Sequence, residues 1–279
     1  MYGILDNLRV LPMGWDAEST LPAEVFATSF NEPDEGAEIR ELTNVGAYVY
    51  SKDFVCPVCK AKFASAVIRQ SKLKLSHMDG LRPIYKDIEP LCYGILLCVS
   101  CGYAALEDKF DSVSDKQRES VIQNVRLNYS NFMPASNPEI IDLKQAVERY
   151  KYALLSAVAR RTGNGEHAMI LLKISWLYKS LADTENAMLF GRHAYDFLQK
   201  AYSSERFPIM GLSQSAATFL MAAFAKDFEE YDVSLKLLAG IITDRSLGTR
   251  LRELARDLKD EIMAIRKAAG EGEEEAEEH

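Results

Sequence analysis

Four cysteines arranged as two CxxC pairs are the residues of this sequence best suited to a defined chemistry. Cys56 and Cys59 form the first pair, and Cys98 and Cys101 form the second, with residues 60–97 between them. Structural zinc is held by four such ligands in a tetrahedron at about 2.3 Å, and one CxxC turn supplies two of them. The sequence therefore predicts one structural Zn2+ per chain, bound by these four thiolates.

The residues next to the pairs bear on this prediction. A zinc knuckle needs its following residue in an open or left-handed turn, so that backbone N–H groups point at sulfur. Gly102 allows this at no steric cost, whereas Lys60 at the matching place fits less well, by about 1 kcal/mol. A thioredoxin-like redox pair would lie at a strand-to-helix junction, which neither pair offers. The fifth cysteine, Cys92, is expected on the same strand as Cys98 as a buried free thiol, and a reactive thiol is the alternative.

A polar segment between the pairs, residues 77–85 (HMDGLRPIY), is dense in turn-forming residues. Asp79 and Arg82 are close enough in sequence to pair or to fix a turn. Arg82 and Tyr85 could instead present a guanidinium fork and an aromatic ring to a ligand. Asp79, Arg82 and Tyr85 are therefore a candidate recognition site, and a hydrogen-bonded connection that packs against the zinc module is the other interpretation.

The elements that must position these residues change along the chain. Residues 1–45 are predicted to be an acidic, partly disordered arm. Residues 46–112 carry short β-rich runs and turns, with an inserted hairpin expected between the pairs. Residues 113–269 show helical periodicity, and residues 270–279 are expected to be a solvated acidic tail. The predicted fold class is α+β, a small zinc-ribbon-like module followed by an antiparallel, tetratricopeptide-like helical array.

Two helix pairs in the second half have the small contact residues of tetratricopeptide repeats. Ser175 and Ala187 take these positions in the first pair, and Ala222 and Ser234 take them in the second. The two turns lie about 47 residues apart rather than the usual 34 or so, which indicates degenerate repeats. A generic antiparallel bundle without a groove is the alternative. The candidate groove residues, each of which could equally belong to the core, are Tyr150, Trp176, Tyr178, Arg192 and Tyr195.

Composition and charge narrow the class of protein. Hydrophobic residues make up 48% of the 279 residues, charged residues make up 27%, and the formal net charge is −8. This balance argues against binding phosphate backbones or anionic membranes with the whole surface. We find neither an apolar segment of bilayer-spanning length nor a secretory signal, so we expect a cytoplasmic protein without membrane association. Paired thiols in such a compartment usually indicate metal.

Taken in order, several motifs resemble the bacterial domain-of-unknown-function 2225 family. They are CPVC at 56–59, DGLRPIY at 79–85 and CVSCGYAALEDKF at 98–110, followed by ERYKYALL, ISWLYKSLAD and EEYDVSLKLLAGII. The resemblance covers about residues 48–265. It implies a zinc-ribbon-like segment followed by tetratricopeptide-like helices, and it implies no established activity. Cys92 departs from the family, which we expect to carry an aromatic residue there.

The sequence carries no recognised catalytic motif. It lacks HExxH, GxSxG, a phosphate-binding glycine loop and a Rossmann fingerprint, and its four histidines are scattered. We therefore expect a non-enzymatic scaffold or adaptor whose helical array binds a protein or peptide partner. The alternative is a nucleic-acid-associated regulatory protein that uses the basic segment 60–86. That segment contains Lys60, Lys62, Arg69, Lys72, Lys74, Arg82 and Lys86, with Phe63, Tyr85 and the nearby Tyr93 as candidates for stacking on bases. Nothing in the sequence indicates an oligomeric state.

Overall fold

A computed structural model describes residues 25, 26, 28–37, 39, 42, 44–126 and 136–277, with side chains through residue 269. Small antiparallel sheets precede helices, so the predicted α+β class is confirmed. Six strands form three two-stranded sheets, in which each strand pairs with its neighbour in sequence. The strands are β1 (Val49–Val55), β2 (Lys62–Ile68), β3 (Leu75–Asp79), β4 (Arg82–Tyr85), β5 (Ile95–Leu97) and β6 (Ala104–Leu106). The β3–β4 pair is the hairpin expected between the two CxxC pairs.

Seven α-helices follow within the described residues. They are α1 (Asp115–Asn124), α2 (Leu143–Ala159), α3 (Asn164–Ser180), α4 (Thr184–Ser204), α5 (Gln214–Asp227), α6 (Tyr231–Thr243) and α7 (Thr249–Glu277). Helix α7 continues into the segment expected to be a solvated tail, because its Glu and Ala residues favour helix. None of the described helices has both the length and the hydrophobicity needed to cross a bilayer.

Side-chain caps set where several helices begin. Ser114 and Gln117 form a capping box at α1, and Asp142 and Gln145 form a second one at α2. Each box satisfies two backbone donors at once. Helix α2 therefore begins at Leu143, directly after its Asp142 cap.

The small residues of the predicted repeats lie where two helices meet. Ser175 of α3 donates from its hydroxyl to the carbonyl of Ala187 in α4 at 2.7 Å, and Ser234 of α6 donates to Ala222 of α5 at the same distance. A short turn joins each pair, with positive φ at Ala182 and Glu229. The two pairs are therefore built alike. The long spacing between them comes from the 21 residues of α4 and the connection that follows it.

Helix α2 joins the zinc module to the helical array by packing against β5 and β6. Its Arg149 is 4% exposed and donates to the Ile95 carbonyl at 3.0 Å and to Asn137 at 2.8 Å. Two turns further on, the Ser156 hydroxyl accepts from the backbone N–H of Ala104 at 3.1 Å. Polar and apolar contacts thus bind the module firmly to the first long helix.

The described part of the N-terminal arm packs against the helical half. Phe30 lies 5.8 Å from Tyr178, ring centre to ring centre. The backbone N–H of Asn31 donates to Asp183 at 3.1 Å, and the buried Lys151 ammonium donates to the Thr28 carbonyl at 2.7 Å. These contacts order residues that we had expected to be partly disordered. Residues 1–24 of that prediction lie outside the described residues.

Candidate functional site

Each CxxC pair lies at the turn of an antiparallel hairpin. The first pair follows the register pair Val55 and Lys62 at the end of β1 and β2. The second follows Leu97 and Ala104 at the end of β5 and β6. The two turns bring four sulfur atoms together, although nearly forty positions of sequence separate the pairs. This is the arrangement that the spacing predicts for a zinc ribbon.

The four sulfur atoms form a cluster of the size that a single metal ion requires. Cys56 and Cys101 have their Sγ atoms 3.7 Å apart, and those of Cys59 and Cys98 are 3.6 Å apart. All four atoms lie within 4.8 Å of one another. A tetrahedron with metal–sulfur bonds of 2.3 Å has edges of about 3.8 Å. The spacing therefore fits one tetrahedral ion, and no disulfide is present among these four residues.

Backbone hydrogen bonds shape the two turns in the same way. The N–H groups of Lys60 and Gly102 donate to the carbonyls of Cys56 and Cys98, at 2.9 and 2.8 Å. Lys60 has φ of 63° and Gly102 has φ of 75°, so both occupy the left-handed region. This confirms the conformation expected after each pair. Lys60 fits its turn less well than Gly102 does, because a residue with a Cβ is strained in the left-handed region.

Hydrogen bonds among the thiols and burial shift the pKa values of two of these cysteines in opposite directions. Hydrogen bonds from the thiols of Cys101 and Cys56 lower the pKa of Cys98 to about 2. Hydrogen bonds to Cys56 and Cys98, together with burial, raise the pKa of Cys101 far above its ordinary value. Buried thiolates in contact repel one another, so the cluster cannot ionise fully by itself. A divalent cation removes this repulsion, which suits the donor set to a metal.

Tyr103, two residues after Cys101, belongs to an aromatic cluster. The Phe110 ring lies 5.0 Å from Tyr103 and 5.8 Å from Phe63, and the Tyr103 hydroxyl donates to the Phe110 carbonyl at 2.9 Å. Three of the cysteines are buried, whereas Cys59 is partly exposed. Exchange of a metal would therefore proceed on the Cys59 side.

The three predicted recognition residues of the β3–β4 hairpin differ in how far they are exposed to solvent. Arg82 is 5% exposed and forms an ion pair with Glu89 at 2.9 Å. Its guanidinium also donates to Ser180 of α3, so it anchors the hairpin to the helices and does not pair with Asp79. Asp79 is exposed at the turn, and Tyr85 is half-buried. Of the three, only Asp79 is well placed to meet a ligand.

The predicted groove residues likewise divide into buried side chains and partly exposed ones. Tyr150 and Tyr178 are fully buried, and Tyr178 stacks on Phe190 at 5.3 Å, so both are core residues. Tyr195 is also buried. Arg192 is half-buried, lies 3.6 Å over the Phe228 ring and pairs with Glu230. Trp176 is partly buried and lines a cleft.

This cleft, which we call the hairpin cleft, lies between the β3–β4 turn and the helical array. It has a volume of about 260 Å3. Helices α3, α5 and α7 form its floor and one wall, and residues 79–81 form the other wall. The β3–β4 hairpin thus lies against the surface that α3, α5 and α7 form together.

Sequence reasoning missed a chain of ion pairs along the rim of the cleft. Lys179 of α3 pairs with Asp227 of α5 at 2.8 Å. Lys226, next in α5, lies 3.5 Å from Asp227 and 2.8 Å from Glu261 of α7. These residues are far apart in sequence and stand in ordinary charged helix faces, so no sequence signal identified them. Arg149 was also missed, although an arginine within an apolar helical run could have marked it.

Cys92 is buried, as expected, but it does not lie on a strand with Cys98. It belongs to a short 3-10 turn, Pro90–Tyr93, which ends before β5 begins. Pro90 starts this turn with Glu89 as its cap, which explains the difference. Cys92 takes no part in the four-sulfur cluster.

Comparison with known proteins gives family membership and little more. The family model described as "Uncharacterized protein conserved in bacteria (DUF2225)" matches residues 49–262. A protein of Borreliella burgdorferi (strain ATCC 35210), described as "Uncharacterized protein", is 22% identical over 222 residues, which is 72% of this chain and 73% of that protein. No solved structure matches the chain.

Proposed function

The chain belongs to the bacterial DUF2225 family, and from its geometry we propose that it is a non-enzymatic, zinc-binding scaffold or adaptor. In this proposal the four cysteines hold one structural Zn2+ and the helical array binds a protein or peptide partner. The single observation that carries the partner role is the hairpin cleft, which helices α3, α5 and α7 and the β3–β4 hairpin build together.

Zinc is the metal that suits this site best. Four thiolates in a tetrahedron are typical of zinc and of iron–sulfur centres. The Sγ–Sγ distances of 3.6 and 3.7 Å match those expected around a single Zn2+. When bound, the ion supplies folding free energy, on the order of 10 kcal/mol or more at neutral pH. Four protein ligands fill its coordination shell, which leaves no position for a reactive water and supports a structural role.

The partner role rests on how the zinc module meets the helices. The β3–β4 hairpin is inserted between the two knuckles, and the buried Arg82, next to the hairpin's turn, forms an ion pair with Glu89 that fixes the turn. At its tip, Leu81 packs against the cluster formed by α5, α6 and α7. A rigid hairpin beside a helical concave face makes a slot of fixed width. Such a slot loses little conformational entropy when a peptide enters it.

Two measurements test this proposal. Elemental analysis of the purified protein should find one zinc per chain. For the partner, a photo-crosslinking amino acid replaces Ala223 in the cleft, and Lys236 on the exposed face of α6 serves as the matched control. We expect the Ala223 probe to trap one defined protein in the native cell that the Lys236 probe does not trap. Equal trapping by both probes, or none from Ala223, would contradict the partner role.

The exposed basic side chains of the zinc module favour nucleic-acid binding as a second candidate. Lys60, Lys62, Arg69, Lys72, Lys74 and Lys86 are all exposed. However, Phe63 and Tyr93 are buried, so they cannot stack on bases. If this candidate is correct, the affinity for a labelled single-stranded oligonucleotide should fall steeply as salt is added. The double variant Lys72→Glu, Lys74→Glu should lose that affinity.

A further inference from the structure

The hairpin cleft combines an apolar floor with a charged rim. The floor and walls include Leu81, Trp176, Phe219, Leu220, Leu254 and Leu258. The rim carries Asp79, Lys179, Lys226, Asp227, Asp257 and Glu261, which gives four carboxylates against two ammonium groups. A ligand for this cleft must therefore cover apolar surface and balance negative charge.

The ion-pair chain shows which carboxylates remain available. Lys179 and Lys226 contact Asp227 and Glu261, so these four groups neutralise one another along the rim. Asp79 and Asp257 are both exposed and take part in no ion pair among the described residues. Asp79 stands on the hairpin wall, and Asp257 stands on α7. The cleft thus presents two uncompensated carboxylates, one on each side of an apolar floor.

We propose that the hairpin cleft binds an extended peptide segment of a partner protein in which an apolar side chain is flanked by lysine or arginine. The apolar side chain lies on the floor beside Trp176, and the cations approach Asp79 and Asp257. This inference rests on the proposed partner role and adds the chemistry of the partner. An acidic segment or a nucleic acid would place like charge against both carboxylates. A purely polar segment would leave the floor in contact with water.

The surroundings of the cleft favour an extended chain over a compact small molecule. A second cleft of about 330 Å3 lies against the same hairpin and shares Asp79 and Lys179 with the first. Its apolar lining residues include Met78, Ile84 and Leu143. The two clefts together follow the hairpin past its turn. A chain that rises about 3.3 Å per residue would pass from one to the other within a few residues.

The test uses the full chain and three synthetic peptides. The probe is fluorescein-labelled Gly-Ser-Lys-Leu-Lys-Phe-Lys-Gly. One control replaces its lysines with glutamate, and the other replaces Leu and Phe with serine. The sequence has two tryptophans, Trp15 and Trp176, so Trp15→Phe leaves Trp176 as the sole intrinsic reporter for unlabelled versions of the same peptides. We expect the probe to bind and change Trp176 fluorescence, and both controls to bind at least tenfold more weakly.

Charge variants identify the site. The double variant Asp79→Asn, Asp257→Asn should lower the affinity for the probe at least fivefold. The affinity should also fall as salt is added, because salt screens exposed charges. Asp260→Asn, exposed on the same helix but outside the cleft, is the matched control and should leave affinity unchanged. Circular dichroism checks that each variant is folded. Equal loss in Asp260→Asn, or no loss in the double variant, would overturn the proposal.

The remaining outcomes separate this inference from the partner role. If all three peptides change Trp176 fluorescence equally, the cleft binds peptides without the charge preference, so this inference is wrong and the partner role stands. If none binds and the Ala223 probe traps nothing, both are wrong. Light scattering tests a further alternative. The protein could prove to be a dimer that the double variant Asp79→Asn, Asp257→Asn dissociates. A second copy would then occupy the cleft, and this too would overturn the proposal.

Discussion

Lys60 and Gly102 occupy equivalent positions in the two CxxC turns, and both have a left-handed backbone. Their φ angles are 63° and 75°, and each N–H donates to the carbonyl of the first cysteine of its pair. The two turns therefore have one geometry but unequal residues. A residue with a Cβ is strained in this region, whereas glycine is not.

This asymmetry predicts opposite effects of two substitutions. Lys60→Gly should stabilise the zinc-loaded protein by up to about 1 kcal/mol, because strain in the folded turn outweighs the added freedom of the unfolded chain. Gly102→Ala should destabilise it by about 1 kcal/mol or more for the converse reason. Urea unfolding of both variants measures the two changes. Destabilisation in both would show that the turns are not equivalent.

Removal of the metal should unfold the zinc module and weaken its contact with α2. Because the bound ion contributes directly to folding free energy, a strong chelator should lower the melting temperature by about 10 °C or more. Cys59→Ser should lower the zinc content below one per chain. Cys92→Ala is the matched control, since Cys92 lies outside the cluster and should leave zinc content unchanged. Full zinc in Cys59→Ser would refute the ligand assignment.

Gly94 and Tyr150 form a close contact between the zinc module and α2. A Cβ added at Gly94 would overlap the Tyr150 hydroxyl, and the next atoms it meets are at 3.5 Å. Gly94→Ala should therefore destabilise the protein by about 1–3 kcal/mol through overpacking. The Tyr150 hydroxyl is buried without a hydrogen-bond partner among the described residues. Gly94→Ala combined with Tyr150→Phe should thus recover most of the loss in a denaturant titration, and a strictly additive result would contradict this packing.

His167 should make the stability of the helical half depend on pH. It is 7% exposed beside Phe197, and burial lowers its pKa to about 4, from an ordinary value of 6.5. Between these two pH values the unfolded chain binds a proton that the folded chain does not. Stability should therefore fall as pH decreases from about 6.5 to 4, by about 3 kcal/mol from this residue.

The measurement for His167 is the unfolding free energy at several pH values. His167→Leu should lose this part of the pH dependence, so the difference between variant and wild type should grow as pH falls. His77→Gln is the control, because His77 is exposed and should leave the profile unchanged. A parallel shift of the His167→Leu curve at all pH values would show that His167 does not titrate as described.

The sequence alone predicted the four-cysteine cluster and the helix pairs. The CxxC turn is a local structure whose residue types are tightly constrained, so its geometry follows from a few adjacent positions. The same holds for the small residues Ser175 and Ser234, whose spacing marks where helices meet. Family membership rests on the same motifs.

Only the tertiary structure decided which distant residues meet. Arg82 pairs with Glu89 and Ser180 rather than with Asp79, because packing against α3 buries it. The hairpin's position over α3, α5 and α7, and the lysine–carboxylate chain beneath it, depend on how two modules dock. Docking depends on many small burial and charge contributions from residues far apart in sequence. No local pattern encodes that sum, so the cleft emerges only once the chain is folded.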